Sequence, residues 1–248
     1  VHNIAGMAAL ASVLYIGRRR IKEAGLHSIP MVALGTGLLW FGWYGFNAGS
    51  EMQVNSVTAV AFLNTDLAAS FAAIAWLAVA WLRESKPKML GLLTGAVAGL
   101  ATITPAAGYV SPQSAVVIGV AAGVVCYFAV ELKNLRQWDD ALDVWGVHGV
   151  GGMLGIILLG VFASKAFNPL GADGLLHGNP AFFWKEVAAV VFSSIWAFAF
   201  TYIMLAIINR FTRVRVDPES EALGLDRALH GERAYEELDL LSGQQAAP

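Results

Sequence analysis

Seven long apolar runs divide this chain of 248 residues and restrict it to a bundle of helices in a lipid bilayer. They lie roughly at residues 1–16, 30–49, 57–82, 89–108, 112–133, 144–163 and 184–209. About 20 apolar residues cross a bilayer as one helix, because a helix satisfies its backbone hydrogen bonds within its own segment. Charged residues make up only 14% of the chain, whereas soluble domains carry about 25%. The sequence therefore predicts an all-α, polytopic transmembrane helix bundle.

The first run is short, and the chain starts inside it at Val1 with no visible signal peptide. As a helix, residues 1–16 would measure about 24 Å, less than the roughly 30 Å of bilayer hydrocarbon. We therefore expect the chain to be the C-terminal part of a larger protein. Residues 1–210 form the predicted membrane domain. Residues 211–248 form a charged tail, either solvated or regulatory, with one short predicted helix around Ala228–Leu238.

Basic residues are distributed very unevenly between the two sides of the predicted bundle. If the spans alternate in direction, one side holds 14 of the 16 lysines and arginines, and the other holds only Lys165 and Lys185. The basic side comprises residues 17–29, 83–88, 133–143 and 210–248. Because cytoplasmic loops carry an excess of lysine and arginine, the pattern predicts that these segments and the tail are cytoplasmic.

Two histidines lie within apolar runs, His2 in the first and His148 in the sixth. A full charge at the centre of a membrane helix costs roughly 3 kcal/mol or more, so ionisable residues at that depth are candidates for function. Glycines surround His148 and permit a neighbouring helix to approach closely. Two neutral imidazoles in contact can hold or relay one proton. For either histidine alone, a satisfied packing role is the alternative.

The second run contains an aromatic stripe, with Trp40, Trp43, Phe46 and Ser50 at helical spacing. A packing face or an interfacial aromatic belt would give the same pattern. The functional interpretation is an aromatic vestibule, because each aromatic face attracts a cation by about 0.5–2 kcal/mol. Ser50 ends the run and offers an oxygen that can accept a hydrogen bond from a small cation.

Carboxylates and a proline mark the ends of other runs. Asp140 and Asp143 precede the sixth run, and we interpret Asp143 chiefly as a helix N-cap. Thr104 before Pro105 predicts a helix end. Asp66 is the one carboxylate clearly inside an apolar run, and the sequence assigns it no role.

Several segments together resemble one family. GWYGFNAGSE, ITPAAGYV, DDALDVWGVHGVGGMLGIILLGVF and GLDRALHGERAY are similar, in this order, to signature segments of the Amt/Mep/Rh ammonium transporters. The opening VHNIAGMAAL resembles the half of the fifth membrane helix that contains the first pore histidine. The GFNAGS segment favours the Amt branch. The resemblance implies a fold of eleven spans with two inverted repeats, of which this chain would contain the second repeat and the last helix.

The resemblance also implies residue roles. The implied pore residues are His2 and His148 as the twin histidines, Phe46 as a gate, Trp43 as a pore-lining aromatic residue, Ser50 as part of the outer ammonium recruitment site and Asp143 at the cytoplasmic mouth. The implied regulatory tail residues are Gly224, Asp226, His230, Gly231 and Tyr235. A second gating phenylalanine, a recruitment tryptophan and a structural aspartate belong to the family's N-terminal half and are not in this chain. Ala228 stands where plant relatives carry a phosphorylated threonine, so we expect no such switch.

The expected function is transport of ammonium or ammonia across a cell (inner) membrane. Bare ammonium would lose hydration that an apolar wall cannot replace, so selectivity is easiest if neutral ammonia crosses. Recruitment at Ser50 is then followed by deprotonation, passage beyond Phe46, contact with the twin histidines and release near Asp143. The resemblance further implies a homotrimer and a cytoplasmic PII-type signalling protein as a possible partner, with no cofactor and no nucleic acid.

Three alternatives remain at this point. The first is an ammonium sensor with an Amt-like membrane domain. The second is a membrane enzyme with a histidine-bound metal, which needs three or more convergent ligands, whereas only His2 and His148 lie at pore depth. The third is a purely structural bundle, which leaves the paired histidines and the ordered motifs unexplained.

Overall fold

The computed structural model describes residues 1–20 and 27–232, and each predicted apolar run forms a helix in it. The membrane helices are α1 (His2–Ile16), α2 (Ile29–Asn47), α3 (Ser56–Glu84), α4 (Met89–Ile103), α5 (Pro112–Leu135), α6 (Gly151–Phe162) and α7 (Pro180–Phe211). A π-helical turn, Trp145–Val150, runs directly into α6. The described residues contain no β-strand, so the all-α prediction is confirmed.

Five of these segments are long and apolar enough to cross a membrane: α2, α3, α5, α7, and α6 together with its π-turn. The other two, α1 and α4, have 15 residues each, about 22 Å of helix. The predicted run 89–108 is longer than α4, which ends at Ile103. Thr104 is the C-cap, so the predicted helix end before Pro105 is confirmed.

Four of the helices begin with the same local device, a polar side chain that accepts a hydrogen bond from the backbone two or three residues later. The capping residues are Ser28 for α2, Asn55 for α3, Ser111 for α5 and Asn179 for α7. Proline occupies the first turn of α2, α5 and α7, where its missing N–H costs nothing. The sequence therefore fixes where these spans start.

The most extensive helix contacts in the described residues are those of α3 with α4 and α5, which pack through very small side chains. A Cβ added at Gly99 of α4 or at Gly119 of α5 would lie 2.4 or 2.5 Å from the Ala68 carbonyl oxygen. One turn further along α3, a Cβ at Gly123 would lie 2.5 Å from the Ala72 carbonyl oxygen. The backbones of α4 and α5 thus both approach that of α3 at Ala68, as dispersion-driven packing in lipid requires.

The outer surface of the bundle is apolar. Phe192, Trp196 and Phe200 stack along one face of α7 and are all more than half exposed. On α2, Phe41 is 76% exposed. Exposed aromatic and aliphatic side chains on this scale, outside a core of alanine and glycine, identify the chain as a membrane protein.

The described part of the tail contains a helix that the sequence analysis did not predict. Helix α8 (Pro218–Leu223) begins after Asp217, whose carboxylate accepts the Ser220 N–H at 2.8 Å. The hydrogen bonds from Ser220 hold the pKa of Asp217 below its usual range. Gly224, at φ 90°, ends this helix, and a short π-turn, Asp226–His230, follows. Most of the predicted helix Ala228–Leu238, with Tyr235, lies outside the described residues.

Replacing Gly119 by alanine tests the contact between α3 and α5. The added methyl group would overlap the Ala68 carbonyl, so we expect a loss of about 1–3 kcal/mol in the free energy of unfolding. The measurement is thermal unfolding of the purified protein in detergent. Gly35→Ala is the matched control, because nothing lies within 4 Å of a Cβ at that position. Equal stability of the two variants would contradict the packing described here.

Candidate functional site

The two membrane histidines approach each other where α1 crosses the π-turn. His2 lies in the first turn of α1, and His148 lies within the π-turn. The crossing is possible because Gly6 faces Gly149, and a Cβ at Gly6 would lie 2.1 Å from the Gly149 Cα. Likewise, a Cβ at Gly152 would lie 2.4 Å from a backbone nitrogen of α1. Backbone contact at these glycines therefore brings together two imidazoles that are 146 positions apart in the sequence.

The imidazoles contact each other through their Nδ1 atoms, which are 3.3 Å apart. The rings lie 5.3 Å apart between centroids, at 30° to each other. One Nδ1 must carry the proton and donate while the other accepts, and the roles exchange with the tautomers. His2 Nε2 is buried and has no hydrogen-bond partner among the residues that the structure describes. The pair can therefore hold one shared proton and still offer a ring nitrogen to a small molecule.

Aromatic side chains from α2 enclose the histidine pair. Trp43 stacks on His2 with centroids 5.0 Å apart, and its ring is nearly parallel to that of His148 at 6.5 Å. Phe46 lies 5.8 Å from both His2 and Trp43. The Trp43 indole N–H donates to Thr104 Oγ1 at 2.9 Å, which fixes the ring. The structure thus brings together four of the side chains that the sequence singled out.

Trp40 does not contact the histidine rings, although it belongs to the same predicted stripe. It packs beside Trp43 against Leu100 and two alanines of α3 and α4. The packing interpretation therefore holds for Trp40.

Ser50 lies in a short 3₁₀ turn, Gly49–Glu51, just after α2. Its hydroxyl donates to the Phe46 carbonyl at 2.5 Å, so only its lone pairs remain for another partner. A cavity of about 270 Å³ opens beside it, and Phe46, Glu51, Tyr109 and Asn168 also line that cavity. Ser50 therefore faces a small chamber as a hydrogen-bond acceptor.

The interpretation of Asp143 as the N-cap is wrong. Asp140 performs this role, because its carboxylate accepts the Val144 N–H at 3.1 Å and the Trp145 N–H at 2.8 Å. Asp143 adopts a left-handed backbone conformation, φ 55°, so its side chain points away from the helix start. Its carboxylate lies 2.6 Å from Lys133 Nζ instead. Burial raises the pKa of Asp143, and the neighbouring ammonium group of Lys133 offsets part of that effect.

Asp66, which the sequence left without a role, has a partner on the neighbouring helix. It accepts a hydrogen bond of 2.5 Å from the hydroxyl of Tyr44, whose ring stacks on Phe62 with centroids 4.0 Å apart. No sequence signal pairs these residues, since they are 22 positions apart on different helices.

The tail is tied to the segment after α1 by residues that the sequence analysis did not single out. Arg215 donates to the Arg18 carbonyl at 2.7 Å and pairs with Glu221 at 3.3 Å. Glu221 also accepts the Arg20 backbone N–H. The basic run before residue 21 and the acidic start of the tail were the signal that could have identified this contact.

The four described members of the predicted tail set lie beyond this contact. Gly224 and Gly231 have positive φ angles of 90° and 69°, and Asp226 and His230 bound the π-turn between them. Tyr235 lies outside the described residues. The structure therefore places these four residues on the turns that follow the docked helix α8.

Comparisons with known proteins agree on one family. The family model described as the Ammonium Transporter Family matches residues 1–235. An ammonium transporter of Bacillus subtilis is 41% identical over 239 residues, which are 96% of this chain and 59% of that relative. The crystal structure of Candida albicans Mep2 has a TM-score of 0.82 at 36% identity and matches 89% of this chain and 51% of that one. A solved structure described as a sensor Amt protein has a TM-score of 0.83 at 30% identity and matches 92% of this chain and 58% of its own. The chain thus spans about half to three fifths of the length of these relatives.

Replacing Thr104 by valine tests whether its hydroxyl fixes Trp43. The change keeps the shape of the side chain and leaves a buried indole N–H without its acceptor, which should cost about 1–3 kcal/mol in the free energy of unfolding, measured by thermal unfolding. The matched control is Thr94→Val, because the Thr94 hydroxyl bonds only to the Leu90 carbonyl of its own helix. A loss no larger than that of the control would show that the indole contact is unimportant.

Proposed function

Because the chain belongs to the ammonium transporter family, we propose that it moves ammonium or ammonia across a membrane through a conduit centred on His2 and His148. The observation that carries the proposal is the contact between the two Nδ1 atoms inside a wall formed by Trp43 and Phe46. Ionisable side chains are costly at membrane depth, so a pair of them there indicates a function, such as contact with a polar molecule that passes. The names of the Bacillus and other curated relatives as ammonium transporters support the same substrate.

The apolar wall favours passage of the neutral molecule. Trp43 and Phe46 offer aromatic faces and no charged atom beside the histidines. An isolated cation in such surroundings loses far more hydration energy than neutral ammonia does. Potassium, which cannot lose a proton, is excluded on the same ground. Selectivity therefore arises from deprotonation before the dry part of the path.

The histidine pair then handles the proton. One imidazole donates its Nδ1–H to the other, which leaves one Nε2 as an acceptor and the other as a donor. His2 Nε2 has no partner among the described residues and is free to hydrogen-bond ammonia. When the accepting Nε2 takes up a proton, the Nδ1–H passes to the other ring, and that ring releases its Nε2–H. One proton thus crosses the pair, and the two rings exchange tautomers.

Ammonium is recruited at one end of the conduit and released at the other. Ser50 accepts a hydrogen bond from ammonium in the chamber of about 270 Å³, since its own proton is committed to the Phe46 carbonyl. Phe46 separates this chamber from His2 and acts as the gate. Release takes place near Asp143, at the start of the π-turn segment.

The distribution of basic residues supports an orientation with the tail in the cytoplasm and the protein in the cell (inner) membrane. Assembly as a homotrimer belongs to the same proposal, as does binding of a PII-type signalling protein to the cytoplasmic face. The docked helix α8 and the turns at Gly224, Asp226, His230 and Gly231 form a regulatory segment on that face. Arg215 and Glu221 hold it against the linker that follows α1.

The first experiment measures current on a solid-supported membrane with the full-length protein reconstituted in vesicles. Transport with proton movement should give a transient current with ammonium and none with potassium. Tight ammonium binding without current would contradict transport and support the sensor alternative instead. The metal-enzyme alternative gains no support, because the described part of the chain groups no three metal-binding side chains.

Replacing His148 by alanine tests the relay. The variant loses the Nδ1 contact, so the ammonium current that distinguishes ammonium from potassium should disappear. His177→Ala, in an exposed 3₁₀ turn, is the matched control and should retain the current. An ammonium-specific current in His148→Ala would contradict the relay.

A further inference from the structure

A buried lysine of α5 lies beside the residues that precede the π-turn of His148. Lys133, at the C-terminal end of α5, is only 7% exposed. Its Nζ lies 2.6 Å from Asp143 Oδ1 and donates to the Asp140 carbonyl oxygen at 3.0 Å. A buried ammonium group needs partners of this kind, because an unpaired charge away from water is very unfavourable.

The two aspartates are not equivalent partners. The Asp140 carboxylate is occupied by the N–H groups of Val144 and Trp145, so it offers Lys133 only its backbone carbonyl. Asp143 is the anionic half of the site, and its side chain is 29% exposed. It lines two openings, cavities of about 480 and 430 Å³. The oxygen atoms that hold the lysine can therefore be approached from solvent.

The group held there has the chemistry of the proposed substrate. A lysine side chain ends in –NH₃⁺, which has three N–H donors and no acceptor. An ammonium ion presents the same donors and one more. A carboxylate oxygen and a carbonyl oxygen at hydrogen-bond distance form a site suited to either group, and in this protein the lysine fills it.

We propose that Lys133 is a tethered ammonium group that occupies a cation site formed by Asp143 Oδ1 and the Asp140 carbonyl oxygen at the release end of the conduit. The effect of this site on transport rests on the proposed function. With the site filled, ammonium that leaves the conduit is not retained at Asp143. Without Lys133, the same oxygen atoms would bind free ammonium and slow its departure.

The consequence for transport is tested with vesicles preloaded with ammonium. Lys133→Ala should lose a larger fraction of its current on preloading than the unmodified protein, because released ammonium occupies the vacated site. Lys133→Arg keeps a cation there and should behave like the unmodified protein. Equal loss in Lys133→Ala and the unmodified protein would overturn this consequence.

The site itself is tested by chemical rescue, with thermal unfolding of the full-length protein in detergent. Lys133→Ala removes Cγ, Cδ, Cε and Nζ, and propylammonium chloride supplies the same three carbons and ammonium group. Propylammonium should raise the unfolding midpoint of Lys133→Ala by roughly 2 °C or more. Tetramethylammonium chloride, which has no N–H donor, is the matched salt and should not.

A second variant makes the result specific. Lys133→Ala combined with Asp143→Asn lacks the anionic oxygen and should show no rescue. Equal shifts in the single variant, the double variant and the unmodified protein would overturn the proposal. If Lys133→Ala does not fold without the probe, recovery of monodisperse protein with propylammonium alone supports the site, and recovery with neither salt overturns it.

This readout is independent of transport. An unmodified protein without ammonium current would contradict the proposed function and leave the rescue measurable. A protein that carries current but shows no propylammonium effect on Lys133→Ala would contradict only the tethered ammonium site.

Discussion

The contact on which the candidate site depends is the crossing of α1 over the π-turn. Gly6 and Gly149 meet there backbone to backbone, at a distance that excludes even a methyl group. Lipid offers no hydrophobic drive for helices to associate, so close dispersion contact between small residues holds such crossings together. His2 and His148 flank this contact, and their Nδ1 atoms meet at 3.3 Å as a result. Larger residues at the crossing would separate the rings whatever their own chemistry.

Polar side chains inside the bundle follow a second rule, since each one without water needs a partner in the protein. Asn3 exchanges hydrogen bonds with Ser193 and Ser194 and thereby fastens α1 to α7. Asn64 donates to two backbone carbonyls in the turn after α4. The bonds of Asn3 join the first and last membrane helices, so directional hydrogen bonds as well as packing fix the position of α1 relative to α7. His2 Nε2 is one of the few buried side-chain atoms in the described residues that lack such a partner, and it belongs to the histidine pair.

The sequence predicted the helices well because an apolar run of sufficient length indicates a segment surrounded by lipid. In lipid such a segment must form a helix to satisfy its backbone hydrogen bonds. The sequence could not predict how individual side chains point. Asp140 and Asp143 both precede the sixth run, and hydropathy does not distinguish them. In the structure, the left-handed backbone at Asp143 directs its side chain toward Lys133, whereas Asp140 caps the helix. The sequence analysis also missed the π-turn around His148, because the glycines there permit such a turn without requiring it. The pairing of Tyr44 with Asp66 depends on the packing of α2 against α3.

Helix α1 connects the histidine pair to the segment that the tail contacts. It carries His2 in its first turn, and the linker that the tail holds begins directly after its last residue, Ile16. Arg215 donates to the carbonyls of both Ile16 and Arg18, so the tail is hydrogen-bonded to the last residue of α1. A helix of 15 residues is stiff, and Asn3 fastens its other end to α7. The tail and the histidine pair are therefore joined by one continuous hydrogen-bonded element, about 22 Å long, with a fixed contact at each end.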